Sequence, residues 1–266
     1  MRLAKWSLIK DIVKKANVVL EVLDSRNPIG TRSRKLEEMT FKYNKNLILV
    51  LNKIDLVPKR VALKWKEILT DADVRVVCFS ALSKRGVEEL KKVIRCSTDK
   101  RPLRVAVVGY PKVGKSSVIN ALKGKKSAPT SPIPGSPGYT RGIQLLKIEE
   151  GIYLLDTPGI IPIEGGLFES VIRGKSPEEL KDPIPAAMLL LETAMKYNSK
   201  CVLDAYGISE RDPYKVLELI AIKRGWRYKK GGEPLVEEAA RNVIRDYHKA
   251  KLSFYIPPEE ALLVEK

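Results

Sequence analysis

The chain has 266 residues, 44% of them apolar, enough to bury one sizeable domain and a smaller one. Net charge is +17, and residues 1–175 hold 34 Lys+Arg against 17 Asp+Glu while 176–266 hold 15 of each, so the first two-thirds asks for a polyanionic partner, RNA or a ribonucleoprotein. One histidine, His248, and three scattered cysteines, Cys78, Cys96 and Cys201, argue against His-based catalysis, zinc and disulfides; the lack of a signal-peptide pattern or a membrane-length apolar run points to the cytoplasm, away from membranes.

Residues 3–16 place Leu3, Trp6, Ile9 and Val13 among lysines, the spacing of an amphipathic helix. Residues 17–23, NVVLEVL, read as a buried strand running into the polar turn Asp24-Ser25-Arg26-Asn27-Pro28, where α/β proteins place binding groups. A helix over 33–43 follows, then a strand over 46–51 ending at Asn52-Lys53-Ile54-Asp55. Next come a helix over 60–69, a strand over 74–79 ending at Ser80-Ala81, and a helix over 87–94. The apolar run 103–108 leads into GYPKVGKSS, residues 109–117, and a helical pattern over 117–122.

Residues 124–142, rich in Gly, Pro, Ser and Thr, read as a long loop. Strands over 143–148 and 151–155 form a hairpin ending at Asp156-Thr157-Pro158-Gly159. Residues 162–176 are Gly-rich and expected to be mobile, and from 183 onward the pattern is helical, over 186–197, 213–223 and 237–250. Motif loops recurring at one end of successive strands indicate an α/β fold with a mostly parallel sheet. The expected division is 1–178 for this domain and 179–266 for a small all-α domain.

GYPKVGKSS fits the phosphate-binding loop G-x-x-x-x-G-K-[ST] in its strand-loop-helix setting. Gly109 and Gly114 let successive amides of Lys112, Val113, Gly114, Lys115, Ser116 and Ser117 face phosphate oxygens at a helix N-terminus. Lys115 neutralises the outer phosphates, and the Ser116 hydroxyl ligates Mg2+. Asp156 holds that ion through water, the Gly159 amide senses the γ-phosphate, and Thr140, with Thr130 and Ser136 as competitors, gives the second hydroxyl ligand.

Guanine offers two adjacent donors that one carboxylate accepts, and Asp55 suits them; adenine has no such pair. Asn52 ties this loop to the phosphate loop, the Lys53 stem lies along the base, and the Ala81 amide beside Ser80 reaches the guanine carbonyl. The ligand is therefore GTP or GDP.

The boxes NKID, SA, GYPKVGKSS, PGYT and DTPG form the GTPase set in rotated order, which resembles the circularly permuted GTPase family of YlqF/RbgA. Asp24 to Pro28 resembles its D-[AS]-R-x-P element, and the segments KRGWRYKKGGEP and AARNVIRDYHKAKL resemble its helical tail. The resemblance implies maturation of the large ribosomal subunit and affinity for ribosomal RNA, with neither DNA nor membrane as partner and a monomer as the working form.

It also implies slow, partner-stimulated hydrolysis, because Ile160, followed by Ile161, stands where Ras-type enzymes carry a water-positioning glutamine. Relatives often have asparagine at Lys112, which can help hold potassium; a lysine ammonium in that electrostatic position would remove the need for the ion. Lys223, Arg224, Arg227, Lys229 and Lys230, with Trp226 and Tyr228 between them, suit phosphate contact and base stacking. The alternative is a GTP-dependent switch with a protein partner, the basic charge serving solubility or heat tolerance.

Overall fold

The runs VVLEVL, LILVL and LRVAVV are too uniformly apolar for strands wet on one face, and they lie at the centre of a single sheet. The computed structural model describes residues 5–123, 144–156, 160–229 and 232–260. Its strands are β1 (Val18–Asp24), β2 (Asn46–Asn52), β3 (Val74–Cys78), β4 (Leu103–Val108), β5 (Gln144–Glu149) and β6 (Ile152–Asp156). They run in the order β3-β2-β1-β4-β6-β5. Every neighbouring pair is parallel except β5 with β6, the hairpin.

β1 and β2 each extend one residue past their apolar runs, so Asp24 and Asn52 face each other on the last rung of their ladder. The ladder decides this, because a polar residue with a backbone partner in register stays in the strand whatever its side chain. Helices α1 (Trp6–Lys15), α2 (Pro28–Thr31), α3 (Arg34–Lys42), α4 (Lys59–Leu69), α5 (Val87–Arg95) and α6 (Lys115–Lys123) flank the sheet. α1 turns Ile9, Ile12 and Val13 into the core, and α4 buries Trp65 completely. The four-residue α2 is too short for periodicity to reveal; Asn27 caps it, its Oδ1 accepting from the Gly30 amide at 2.8 Å, and Pro28 opens it.

The contacts divide the chain into Met1–Pro162 and Ile163–Lys266. The boundary expected at 178/179 thus falls earlier, for a packing reason. Residues 162–176, expected to be mobile, include the helix α7 (Leu167–Ile172), whose Val171 and Ile172 are buried in the core of the second unit. That unit continues with α8 (Ile184–Tyr197), α9 (Cys201–Tyr206), α10 (Pro213–Lys223) and α11 (Val236–His248). α8, α10 and α11 pack mutually around Leu190, Leu191, Leu217, Ile220, Val243 and Ile244. Among the described residues no helix is long and apolar enough to cross a membrane.

Candidate functional site

A parallel sheet brings all its strands' carboxyl ends to one edge, and here that edge gathers the loops after β1, β2, β3 and β4. The loop after β4 curls closely over its neighbours. A Cβ at Gly109 would meet the Val22 carbonyl oxygen of β1 at 2.7 Å. At Gly114, where φ is +100°, it would meet Asn52 Nδ2 at 2.2 Å. Only glycine lets Asn52 approach, and the approach is used: Asn52 Nδ2 donates to the Val113 carbonyl at 2.8 Å.

Lys53 adds a second tie, its Nζ donating to the Lys112 carbonyl at 2.7 Å. Both lysines sit in left-handed backbone, φ 62° at Lys53 and 63° at Lys112, a conformation non-glycine residues adopt only where their surroundings hold them. The two loops that the motifs assign to base and phosphate are therefore one hydrogen-bonded unit. Lys112 directs its carbonyl into this junction while its side chain is exposed.

Asp55 lies in the short 3-10 turn Ile54–Leu56 with its carboxylate exposed. Ser80, fully buried, donates from Oγ to Asp55 Oδ1 at 2.5 Å and accepts from the Ser83 amide at 3.1 Å, so the carboxylate is held in one rotation. The turn carrying Ser80 and Ala81 closes through the Ser80–Arg85 bridge. Gly86 completes it at φ +80°, where a Cβ would strike the Cys78 carbonyl at 2.1 Å. Sequence reasoning missed Gly86, although a glycine just before a helical pattern is the signal that could have found it.

Lys115 opens α6, and its Nζ donates to the Tyr110 carbonyl at 2.5 Å across the loop. Burial pushes its pKa down to about 8, so the ammonium is costly until an anion faces it. Ser116 and Ser117 follow in the first turn with exposed side chains, where helix amides and the helix dipole favour phosphate. Asp156 closes β6, which pairs with β4 and so ends at the same sheet edge. Thr140, Gly159 and Lys230 lie outside the described residues. Ile160 is half-buried and bridged to Gly109, and the buried Ile161 donates its amide to the Gly109 carbonyl at 3.1 Å. The chain leaving the DTPG box is thus fastened to the first residue of the phosphate loop.

The exposed Ser116 brings a hard hydroxyl donor of the kind Mg2+ takes to this edge, where the β6 backbone ends at Asp156. Among the described residues no group of three or more His, Cys, Asp or Glu forms a metal cage.

In the second unit Lys223 donates to the Tyr206 carbonyl at 2.8 Å, closing the end of α9. Arg224 lies over the Trp226 ring, 5.1 Å from its centroid, and Trp226 packs half-buried on the helical core. Arg227 bridges to Pro234 and Lys229 has φ 43°, so these residues belong to a tight turn after α10. Lys223 and Arg224, with Lys251, line a cavity of about 240 Å³ beside Tyr206.

A family model described as RsgA GTPase matches residues 13–164. The chain is 36% identical over 253 residues to an uncharacterised GTP-binding protein of Methanocaldococcus jannaschii, covering 93% of this chain and 66% of that protein. It is 34% identical over 268 residues to nucleolar GTP-binding protein 2 of Neurospora crassa, covering 96% of this chain and 42% of that protein. The chain therefore spans a little under two thirds of the first relative and less than half of the second. Among solved structures it is similar to GDP-bound YlqF, with a TM-score of 0.64, 29% identity and coverage of 94% of this chain and 99% of that one. GNP-bound YlqF from T. maritima gives 0.63, 28%, 96% and 98%.

Proposed function

This chain belongs to the circularly permuted GTPase family that the RsgA GTPase model and YlqF represent, and we propose that it is a slow GTP-hydrolysing switch acting in assembly of the large ribosomal subunit. The observation that carries the guanine reading is the pair of bonds from Asn52 and Lys53 to the carbonyls of Val113 and Lys112. They set the exposed, oriented Asp55 carboxylate at a fixed place relative to the phosphate loop, as one ligand with a base at one end and phosphates at the other requires. Asn52, Lys53, Ile54, Asp55, Ser80 and Ala81 take the base, and Lys112, Val113, Gly114, Lys115, Ser116 and Ser117 cradle the phosphates.

Ser116, Thr140 and, through water, Asp156 would hold Mg2+, which would supply positive charge to offset that of the phosphates. Lys115 supplies the fixed positive charge, and the Gly159 amide reads the γ-phosphate. Ile160 brings no water-orienting group, so turnover is slow until a partner completes the site. Lys112 stands in for the potassium-holding asparagine of relatives. Because Ile161 is bonded to Gly109, an order change at the DTPG box is passed into the chain that continues as the second unit.

The RNA reading rests on charge. Residues 1–162 carry 32 Lys+Arg against 15 Asp+Glu, and residues 163–266 carry 17 of each. At the amino-terminal edge of the sheet, away from the nucleotide loops, Lys45 neighbours Lys100 and Arg104, while Lys14 lies over Tyr43 at 5.3 Å. Burial first, and then the like charges of Lys100 and Arg104, lower the Lys45 pKa, the condition of cations awaiting an anion. Arg224, Arg227, Lys229 and Lys230 give a second contact, whereas Lys223 is committed to the end of α9. The protein works as a cytoplasmic monomer.

Lys115→Ala is expected to weaken binding of a fluorescent GTP analogue at least a hundredfold with an unchanged circular dichroism spectrum; undiminished binding would refute the assignment. Co-sedimentation with large ribosomal subunits should be stronger with a non-hydrolysable GTP analogue than with GDP and should weaken steeply with salt. Equal, salt-insensitive pelleting would overturn the ribosomal reading.

A further inference from the structure

The turn Asp24-Ser25-Arg26 is the motif beside the nucleotide loops that nucleotide binding leaves unexplained. We propose that it is a brace for the guanine-reading loop, with Asp24 a positioning residue that acts through Lys53 without touching the nucleotide. The proposal rests on the guanine-nucleotide reading above.

The brace begins in the ladder. Asp24 and Asn52 share a rung, and the Ser25 amide donates to the Asn52 carbonyl at 2.9 Å, so the turn leaving β1 lies against the first peptide of the loop leaving β2. Ser25 Oγ then donates to the Lys53 carbonyl at 2.8 Å. One side chain and one amide of this turn thus grip the two residues on either side of the peptide where the loop enters its left-handed conformation.

Asp24 grips the side chain. Its Oδ1 accepts from the Arg26 amide and from Arg26 Nε, each at 3.0 Å. Its Oδ2 accepts from Arg26 Nη2 at 2.7 Å and Lys53 Nζ at 2.6 Å. The same Nζ donates to the Lys112 carbonyl at 2.7 Å, so a chain of bonds runs from a buried guanidinium through a carboxylate and an ammonium to the phosphate loop. Burial alone would raise the Asp24 pKa, but Arg26 and Lys53 outweigh it and hold the carboxylate ionised far below the usual range.

The brace is itself fixed. Thr31 Oγ1 accepts from the Asp24 amide at 3.0 Å and donates to the Asn27 carbonyl at 2.8 Å, and a Cβ on Gly30 would meet the Asn27 side chain at 2.4 Å. Arg26 is 2% exposed, so its fork cannot turn to water. With Asp24 neutralised, Arg26 and Lys53 become two like charges side by side, and Lys53, the less buried arm, is the one that leaves. Its departure frees the Lys112 carbonyl and lets Asp55, two residues on, lose its register with the base.

The test measures affinity of the full-length chain for a fluorescent GDP analogue, with GTP turnover in parallel. Asp24→Asn should weaken affinity ten- to a hundredfold and raise KM for GTP by more than it lowers kcat. Affinity within twofold of wild type, or a loss confined to kcat, would overturn the brace. A cycle with Lys53→Met isolates the mechanism: the double variant should bind no worse than Lys53→Met alone, and additive losses would show that Asp24 acts elsewhere. If Asp24→Asn does not fold, Ser25→Ala, which removes only the tie to the Lys53 carbonyl, should weaken affinity two- to fivefold, and an unchanged affinity counts against the proposal. Wild-type protein that binds no GDP would instead sink the guanine reading itself.

Discussion

Two buried carboxylates three residues apart on β1 face opposite fates. Asp24, at the strand end, meets Arg26 and Lys53 and is held ionised. Glu21, inside the strand and fully buried, meets the Ser33 amide at 2.7 Å and a second carboxylate, Glu37, whose effect outweighs that of the Arg32 charge. Burial first, then repulsion from Glu37, pushes its pKa well above the ordinary 4.5. Glu37 is taken up by Arg32, whose Nη2 donates to its Oε2 at 2.8 Å. The difference lies in the neighbours and not in burial, which both share: a buried acid stays charged where cations surround it and takes a proton where an anion does. Charge is thus concentrated at the sheet edge where phosphates are to bind and kept out of the middle of the strand.

The comparison breaks most severely at Asp24. Asp24→Asn keeps the shape but removes the carboxylate that Arg26 and Lys53 share, and should cost about 3–5 kcal/mol of stability in denaturant unfolding. A loss under 1 kcal/mol would mean that Lys53 and Arg26 find water, and that the two carboxylates differ less than their contacts indicate. Gly114→Ala tests the same edge from the phosphate side. Its Cβ would displace Asn52 and sit at φ +100°, so we expect a cost of roughly 1–2 kcal/mol and about tenfold weaker GDP binding. Affinity unchanged beside a lower melting temperature would separate the Asn52 tie from nucleotide binding.

What the sequence discloses about this edge follows from how each residue is specified. GYPKVGKSS and NKID are legible because local backbone demands and base chemistry fix residue types at short spacing, and the structure places Asn52, Lys53, Lys112 and Val113 in contact. The partner of Asp24 is not legible, since Lys53 lies 29 positions away and is brought in by the β1–β2 register. Glu21 passes as part of an apolar run, although a charged residue within a strand buried on both faces is itself a signal that a partner waits. The contact division lies before the expected 178/179 for a related reason: Val171 and Ile172 join the second unit's core through contacts with α8, which no local pattern near Ser176 announces. Short helices such as α2, α7 and α9 carry too few turns for a period of 3.6 residues to register.

The smallest expected effect tests the other half of the comparison. Below pH 4.5 Glu21 is protonated whether the chain is folded or unfolded, and it contributes nothing that depends on pH. As pH rises past that value the unfolded chain releases the proton while the folded chain keeps it, so the folded state binds more protons and stability falls with pH. The fall is about 1.4 kcal/mol per pH unit at most, until the raised folded pKa is reached. Glu21→Gln keeps the acceptor for the Ser33 amide and a donor toward Glu37 but does not titrate. The variant should therefore match wild type in denaturant midpoint near pH 4 and exceed it at pH 8, by an amount that grows above pH 4.5 until the raised folded pKa is reached. A variant less stable than wild type at both pH values would mean that Glu21 is ionised in the fold, and that β1 carries two charged carboxylates rather than one.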